Sequence, residues 1–335
     1  MIRTALGRVV EGHDLNQEQA RAAMEQILAG EATGAQIAAL AVGLRMKGER
    51  PEEIAGMAEA MRRRVAPIRT KREPLLDTCG TGGDNAGTFN ISTTAAIVAA
   101  SCGVAVAKHG NRAVSSRTGS ADVLESLGVR LDLTAEDAAR SLDLLGLTFL
   151  FAPNYHIALR HAAGPRRELG LRTVFNVLGP LTNPAGARRQ LLGVYSDALV
   201  RPVAEVLRRL GSERAWVVHG RDGLDELSIF APTHVAELAD GELREFDVDP
   251  AKLGLAGSNR DGVAGGNASE NAARIRAILG GEKGPARDIV VLNTGAALVV
   301  AGSARTLEDG IAQAARAIDS GAAATKLDEL ARFRV

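Results

Sequence analysis

A chain of 335 residues is too long for one small core and points to two domains, with room for one of them to be assembled from discontinuous segments. Forty basic residues balance forty acidic ones, and aromatic residues make up only 3%, so neither a polyanion-binding face nor a base-stacking platform is implied. Hydrophobic residues at 46% with charged residues at 24% match an ordinary soluble globular protein.

The amino-terminal residues Met1-Ile2-Arg3-Thr4 lack the apolar core of a signal peptide. Residues 1–67 read as helices only. Asn16 with Gln19 and Thr33 with Gln36 make capping-box patterns, and Pro51 followed by Glu52 and Glu53 suits a helix start. Ala23, Met24, Ile27 and Leu28 share one helical face, as do Ile37, Leu40, Ala41 and Leu44. These faces predict a small helical domain with apolar surface to spare for a neighbour.

From Leu75 onward short strands alternate with helices. Leu75–Cys79, Val104–Ala107, Leu147–Phe151, Leu191–Tyr195 and Ala215–His219 are predicted strands. Helices are expected over Ala121–Leu127, closed by Gly128, and over Leu199–Leu210, closed by Gly211. Residues 254–267 read as a polar surface loop, Asn267 with Glu270 as a helix start, and Thr306 with Asp309 as another cap; Ile289–Leu292 fits either a strand or a buried helix. The alternation predicts an α/β domain with a mostly parallel sheet flanked by helices, and ligands at the carboxyl ends of its strands. The longest small-apolar run, Ala95–Ala107, is too short to span a bilayer, which takes about 20 residues. Cys79 and Cys102 fit a reducing cytoplasm better than a disulfide framework.

Two glycine-bearing loops follow predicted strands: Asp77-Thr78-Cys79-Gly80-Thr81-Gly82-Gly83-Asp84 and Lys108-His109-Gly110-Asn111-Arg112-Ala113-Val114-Ser115-Ser116. No Lys-Ser/Thr pair completes a P-loop after Gly80, and Asn85 stands where a dinucleotide fingerprint needs a glycine. Spacing alone therefore leaves phosphate binding and an ordinary tight turn both open.

Gly80-Thr81-Gly82-Gly83-Asp84, Phe89-Asn90-Ile91-Ser92-Thr93 and Lys108-His109-Gly110-Asn111-Arg112 together resemble the signature of the anthranilate phosphoribosyltransferase family of tryptophan biosynthesis. The resemblance continues through Gly119-Ser120-Ala121-Asp122-Val123-Leu124-Glu125 and Arg172-Thr173-Val174-Phe175-Asn176-Val177-Leu178-Gly179-Pro180-Leu181, and it covers nearly the whole chain. It implies a nucleoside phosphorylase-like fold. The small helical domain would comprise residues 1–67 with a helical insertion near 155–180, the α/β phosphoribosyl-binding domain residues 74–335, and a hinge residues 68–73. It also implies a homodimer formed through the helical domain, with neither nucleic acid nor membrane as a partner.

The implied reaction joins anthranilate to the phosphoribosyl group of phosphoribosyl pyrophosphate (PRPP) with Mg²⁺ as cofactor, two ions per subunit. By resemblance, PRPP contacts fall to Gly80, Gly83, Asp84 and Thr88 in the first loop, and to Asn90, Ile91, Ser92 and Thr93 at the following helix start. Lys108, His109, Gly110, Asn111, Arg112, Ala113, Val114, Ser115 and Ser116 form the second cradle, and Ser120 caps the next helix. Gly80, Asn111 and Arg166 are assigned to anthranilate, and Ser92, Asp225 and Glu226 to the metal. His109, Tyr155 and His156 are candidates to line the anthranilate entry. A guanidinium fork suits a planar carboxylate, and adjacent carboxylates suit a hard ion that shares its oxygens with phosphates. The nearest alternative, a pyrimidine nucleoside phosphorylase-like enzyme, fits Lys108–Arg112 and Arg166 less well. An inactive relative turned nucleic-acid binder would call for a basic surface and a damaged acidic pair, against zero net charge and an intact Asp225-Glu226.

Overall fold

The computed structural model describes residues 1–113 and 117–334. Its first 62 residues fold into four helices, Ile2–Val10, Gln17–Leu28, Gly34–Lys47 and Pro51–Arg62. Asn16 and Thr33 close capping boxes with Gln19 and Gln36, and Pro51 occupies the first helical turn. The two predicted apolar faces are buried, and the helix Arg160–Leu169 joins them through Ala162.

Seven strands form one sheet: β1 Leu75–Asp77, β2 Ala105–Gly110, β3 Leu147–Phe151, β4 Arg189–Gly193, β5 Arg214–Gly220, β6 Thr233–Ala239 and β7 Glu242–Val248. They lie in the order β3-β2-β1-β4-β5-β6-β7, parallel from β3 to β5 and antiparallel thereafter. Chain order runs one way from β1 through β2 to β3 and the other way from β4, so the β1/β4 boundary is the switch point at which an open α/β sheet leaves a crevice.

Side-chain alternation divides the sheet between two cores. Leu191, Trp216 and Val218 pack with the helices Ile91–Ser101 and Pro285–Ala301 on one face. Leu192, Ala215 and Val217 pack on the other with the helix Val200–Arg209, in a core continuous with the four amino-terminal helices. The helical bundle is therefore seated on one sheet face.

Two expectations are corrected, one open reading is settled, and one element is added. The predicted strand at 191–195 begins at Arg189 and ends at Gly193, because pairing with β5 holds Arg189 opposite Arg214 and Gly193 opposite Val218. Ile289–Leu292 lies inside the helix Pro285–Ala301, whose burial from Ile289 to Val300 leaves no polar face to reveal a helical period. Ser120 is the first residue of the helix Ser120–Ser126 rather than its cap; Gly119 holds the cap position, and Asp122 accepts from its N–H at 2.9 Å. The β6–β7 hairpin has no counterpart among the predicted strands. It turns at Asp240-Gly241, with φ of 52° and 80°, between two alternating segments, the sequence signature of such a turn.

Candidate active site

The first glycine loop leaves β1 at the switch point. Gly82 and Gly83 have φ of 62° and 80°, a left-handed backbone that side chains resist. The Thr81 N–H donates to the Gly193 carbonyl at 2.9 Å, and the Tyr195 N–H donates to Thr81 Oγ1 at 3.0 Å, so the loop is tied to the end of β4. Gly193 admits no side chain: a Cβ there would lie 1.6 Å from the Asp225 carbonyl oxygen. A Cβ on Gly80 would lie 3.2 Å from Asp225 Oδ2. Gly80, Gly193 and Asp225, far apart in sequence, thus share one crowded point.

Around it gather groups of opposite character. Asp84 Oδ2 accepts from the Asp225 N–H at 3.4 Å, and Glu226 Oε1 accepts from the Ser92 N–H at 3.1 Å, in the first turn of the helix Ile91–Ser101. Asp225 and Glu226 are half-buried, and neither forms an ion pair among the described residues. Removal from water pushes Asp225 up to about 7, with the nearby Asp84 charge adding to it. Glu226 is pushed up to about 8 by the same loss of water and then by Asp225. Lys108 reaches in from β2 and donates to the Thr78 carbonyl at 2.6 Å and to Ser92 Oγ at 3.4 Å. Burial pulls its pKa down, while Asp77 and then other nearby acids hold it up.

The second loop is anchored from beneath. Asp77, fully buried, accepts from the His109 N–H at 3.1 Å and from Asn183 Nδ2 at 2.7 Å. Asn111 accepts through Oδ1 from the Arg112 N–H, and its carbonyl accepts from Ser120 Oγ. The Arg112 guanidinium is paired at 2.8 Å with both Asp122 and Glu125, and the Ala113 N–H donates to Asp122. Val114, Ser115 and Ser116 lie outside the described residues.

A long-range zipper closes the far side of the first loop. The Phe89 N–H donates to the Val263 carbonyl at 3.1 Å, and Thr88 forms an isolated antiparallel bridge with Ala264. Both side-chain ends of Asn90 are engaged: Nδ2 donates to the Thr118 carbonyl, and Oδ1 accepts from Asn271 Nδ2 at 3.0 Å. Ile91 and Thr93 are buried in the helix that follows.

Arg166 lies on the separate helix Arg160–Leu169, its guanidinium 5.6 Å from the centre of the Phe175 ring, and burial lowers its pKa. No hydrogen bond or ion pair among the described residues joins it to Gly80 or Asn111. The His109 and His156 rings are tilted by 53° with centres 5.0 Å apart, and neither Nε2 has a hydrogen-bond partner among the described residues. Burial holds them at about 3 and about 4, so both are neutral near pH 7. Tyr155 does not join them in an open passage: its hydroxyl donates to the Leu133 carbonyl, and its ring belongs to a small core with Leu142 and Leu150.

Arg172 is a contact that sequence analysis passed over. Its guanidinium donates to the Gly83 carbonyl and lies 4.7 Å from the centre of the Tyr195 ring. It opens the Arg172–Leu181 stretch, and a basic residue there was the available signal. Gly193 offered none, because the need for glycine arises from Asp225 across the fold.

Chemically the hollow offers hard oxygen donors (Asp84, Asp225, Glu226 and the Ser92 hydroxyl) beside main-chain N–H groups, with one buried ammonium. No group of three or more His, Cys, Asp or Glu side chains forms a closed metal cage among the described residues. The donors suit a small divalent cation that takes its remaining oxygens from water or a phosphate ligand.

Comparison with known proteins agrees over nearly the full length. Residues 3–65 match the glycosyl transferase family, helical bundle domain, and residues 72–324 match the glycosyl transferase family, a/b domain. The anthranilate phosphoribosyltransferase of Moorella thermoacetica is 55% identical over 330 residues, covering 98% of this chain and 97% of the relative. The crystal structure of the enzyme of that name from Thermus thermophilus superposes with a TM-score of 0.93 at 47% identity, covering 98% of both chains. The Saccharomyces cerevisiae enzyme in complex with PRPP and Mg superposes with a TM-score of 0.89 at 28% identity, covering 98% of this chain and 96% of that one.

Proposed function

Because the chain belongs to the anthranilate phosphoribosyltransferase family, we propose that it transfers the phosphoribosyl group of PRPP to the amine of anthranilate, releasing pyrophosphate, the second step from chorismate to tryptophan. The observation that carries this reading is the convergence of Asp84, Asp225 and Glu226 with the Ser92 N–H between two glycine loops at the switch point. Mg²⁺ is the cofactor, with two ions per subunit as the finer proposal. Asp225, Glu226 and the Ser92 hydroxyl would hold it, and their oxygen-only chemistry fits. When bound, the metal neutralises charge growing on the departing pyrophosphate.

The chain's own groups do the rest. Gly80, Gly83, Asp84 and Thr88 with Asn90, Ile91, Ser92 and Thr93 take one part of PRPP, with the dipole of the helix Ile91–Ser101 favouring phosphate. Lys108 to Ser116 and Ser120 take the other. Asn90 serves through its backbone, since its side chain is already committed. Arg166 and Asn111 hold the anthranilate carboxylate and aim the amine, with Gly80 leaving room between the substrates. As the C1–O bond to pyrophosphate breaks with its electrons, the ribose passes through an oxocarbenium-like state. The amine lone pair then forms the new C1–N bond from the opposite face, and the ammonium sheds its proton to water or base. Positioning and leaving-group stabilisation supply the acceleration, without a covalent enzyme intermediate.

We further propose that residues 1–67, with the insertion near 155–180, move against 74–335 about a hinge at 68–73. Val10 and Met46, strongly exposed on two adjacent amino-terminal helices, support a homodimer through that domain. The free thiols of Cys79 and Cys102 suit the cytoplasm. Loss of anthranilate fluorescence on mixing the protein with anthranilate, PRPP and Mg²⁺ tests the activity; no loss rejects it. Arg166→Ala should raise the anthranilate KM roughly 10- to 100-fold with the PRPP KM unchanged, the effect of losing a charge-assisted fork. An unchanged anthranilate KM rejects the carboxylate assignment.

A further inference from the structure

The Asp225-Glu226 pair is carried by a segment with no regular structure of its own. Residues 221–232 lie between β5 and β6 and belong to no helix or strand. Asp84 Oδ2 lies 3.4 Å from the Asp225 nitrogen, so three carboxyl groups crowd one hollow, and no helix or strand of the segment's own keeps the pair there. Something must hold it in before any cation arrives.

Asn293 does so. It is fully buried midway along the helix Pro285–Ala301, where an apolar side chain would be the less costly choice. Its Oδ1 accepts from the Leu227 N–H at 2.9 Å, and its Nδ2 donates to the Leu227 carbonyl, also at 2.9 Å. The second Nδ2 proton goes to the Ile289 carbonyl of the same helix at 2.9 Å. One side-chain amide thus grips both main-chain polar groups of the residue after Glu226, and both of its amide protons are used. On the other side the Asp225 backbone rests against Gly193. The acidic pair is held between β4 and the helix Pro285–Ala301.

We propose that Asn293 is a positioning residue for the metal-binding carboxylates, holding Asp225 and Glu226 in the hollow. It touches neither substrate nor metal, and its effect reaches the reaction through Leu227. The proposal rests on the assignment of the metal to Asp225, Glu226 and Ser92.

Two readouts test it on the full-length enzyme. The first is hydrogen exchange in peptides covering residues 221–230 of the metal-free protein. The second is the Mg²⁺ concentration for half-maximal transfer at saturating PRPP and anthranilate. Asn293→Leu removes the grip at similar volume, and Asn293→Asp keeps an acceptor for the Leu227 N–H while giving up the amide donors. Ser141→Ala serves as a reference, since it deletes a buried hydrogen bond to Leu147 on the far side of the sheet. Both Asn293 variants should speed exchange in the segment and raise the Mg²⁺ requirement, Asn293→Leu by roughly 10- to 100-fold, the usual effect of losing an outer-shell support. Ser141→Ala should lower the melting temperature while leaving both readouts unchanged. Faster exchange with an unchanged Mg²⁺ requirement would make Asn293 merely structural and overturn the proposal, as would unchanged exchange. If Asn293→Leu fails to fold, an unchanged Asn293→Asp overturns it equally. A wild-type enzyme whose transfer needs no Mg²⁺ overturns the metal assignment and the proposal with it, even where exchange responds.

Discussion

Two glutamates illustrate opposite uses of a recessed carboxylate. Glu53, in the helical bundle, is wholly buried and wholly answered: its oxygens accept from the Leu15 N–H at 2.8 Å, the Arg50 N–H at 2.8 Å and Lys47 Nζ at 3.0 Å. Glu226, beyond the carboxyl ends of the central strands, accepts from one N–H, faces Asp225, and has no ion pair among the described residues. The first ties three helices together. The second is left under-compensated, and such a group marks a place where a ligand supplies what the protein withholds.

Removing each charge should separate the two roles. The double variant Asp225→Asn, Glu226→Gln should lower transfer by at least roughly 10³-fold, the scale of lost transition-state charge stabilisation. Its melting temperature at pH 7 should hold or rise, because repulsion is relieved. A marked drop in stability would show the pair to be structural like Glu53. Glu53→Ala should do the reverse, costing about 3 kcal/mol in denaturant unfolding by stranding two N–H groups and weakening the Lys47 partnership, with kcat per folded molecule intact. Loss of kcat without loss of stability would blur the contrast.

A smaller effect is expected in pH dependence. Asp225 at about 7 and Glu226 at about 8 lie above their ordinary values of 3.8 and 4.5. Between about pH 4.5 and 8 the folded, metal-free protein therefore binds more protons at this pair than the unfolded chain does, and the pair's contribution to stability falls as pH rises. Urea unfolding across that range should show a shallower decline in the double variant than in the wild type. Identical slopes would contradict the assignment. The smallest effect belongs to Arg221→Ala just after β5, where exposed pairs with Asp197 and Asp247 predict a change below about 0.5 kcal/mol and normal transfer.

What the sequence disclosed was mostly local chemistry. The caps at Asn16, Thr33, Asn267 and Thr306 depend on side chains reaching three residues ahead, and all four bonds are present. The first glycine loop falls beyond β1 as expected, but the second was placed too early. The strand predicted over Val104–Ala107 runs as β2 to Gly110, so Lys108, His109 and Gly110 are paired with β3 and only the residues after them leave the sheet. Asp77 under the second loop, Gly193 against Asp225 and Asn293 against Leu227 were not legible, since each depends on a partner brought close only by the sheet order. The β6–β7 hairpin was legible and passed over: Asp240-Gly241 carries its turn signature in plain view. Arg112 stood out as a phosphate ligand by resemblance, yet its guanidinium is spent on Asp122 and Glu125, and contact with a phosphate would require exchanging those partners.

The hairpin has one more consequence. Its outer strand, β7, forms a free margin of the sheet, the kind of rim onto which another chain can lay a strand of its own. Glu242, Arg244, Glu245 and Asp247 stud that rim with charges of both signs, so a stacking neighbour would have to strip water from several of them. Fibre-like growth from this side is thereby discouraged, and the enzyme should stay dispersed when concentrated.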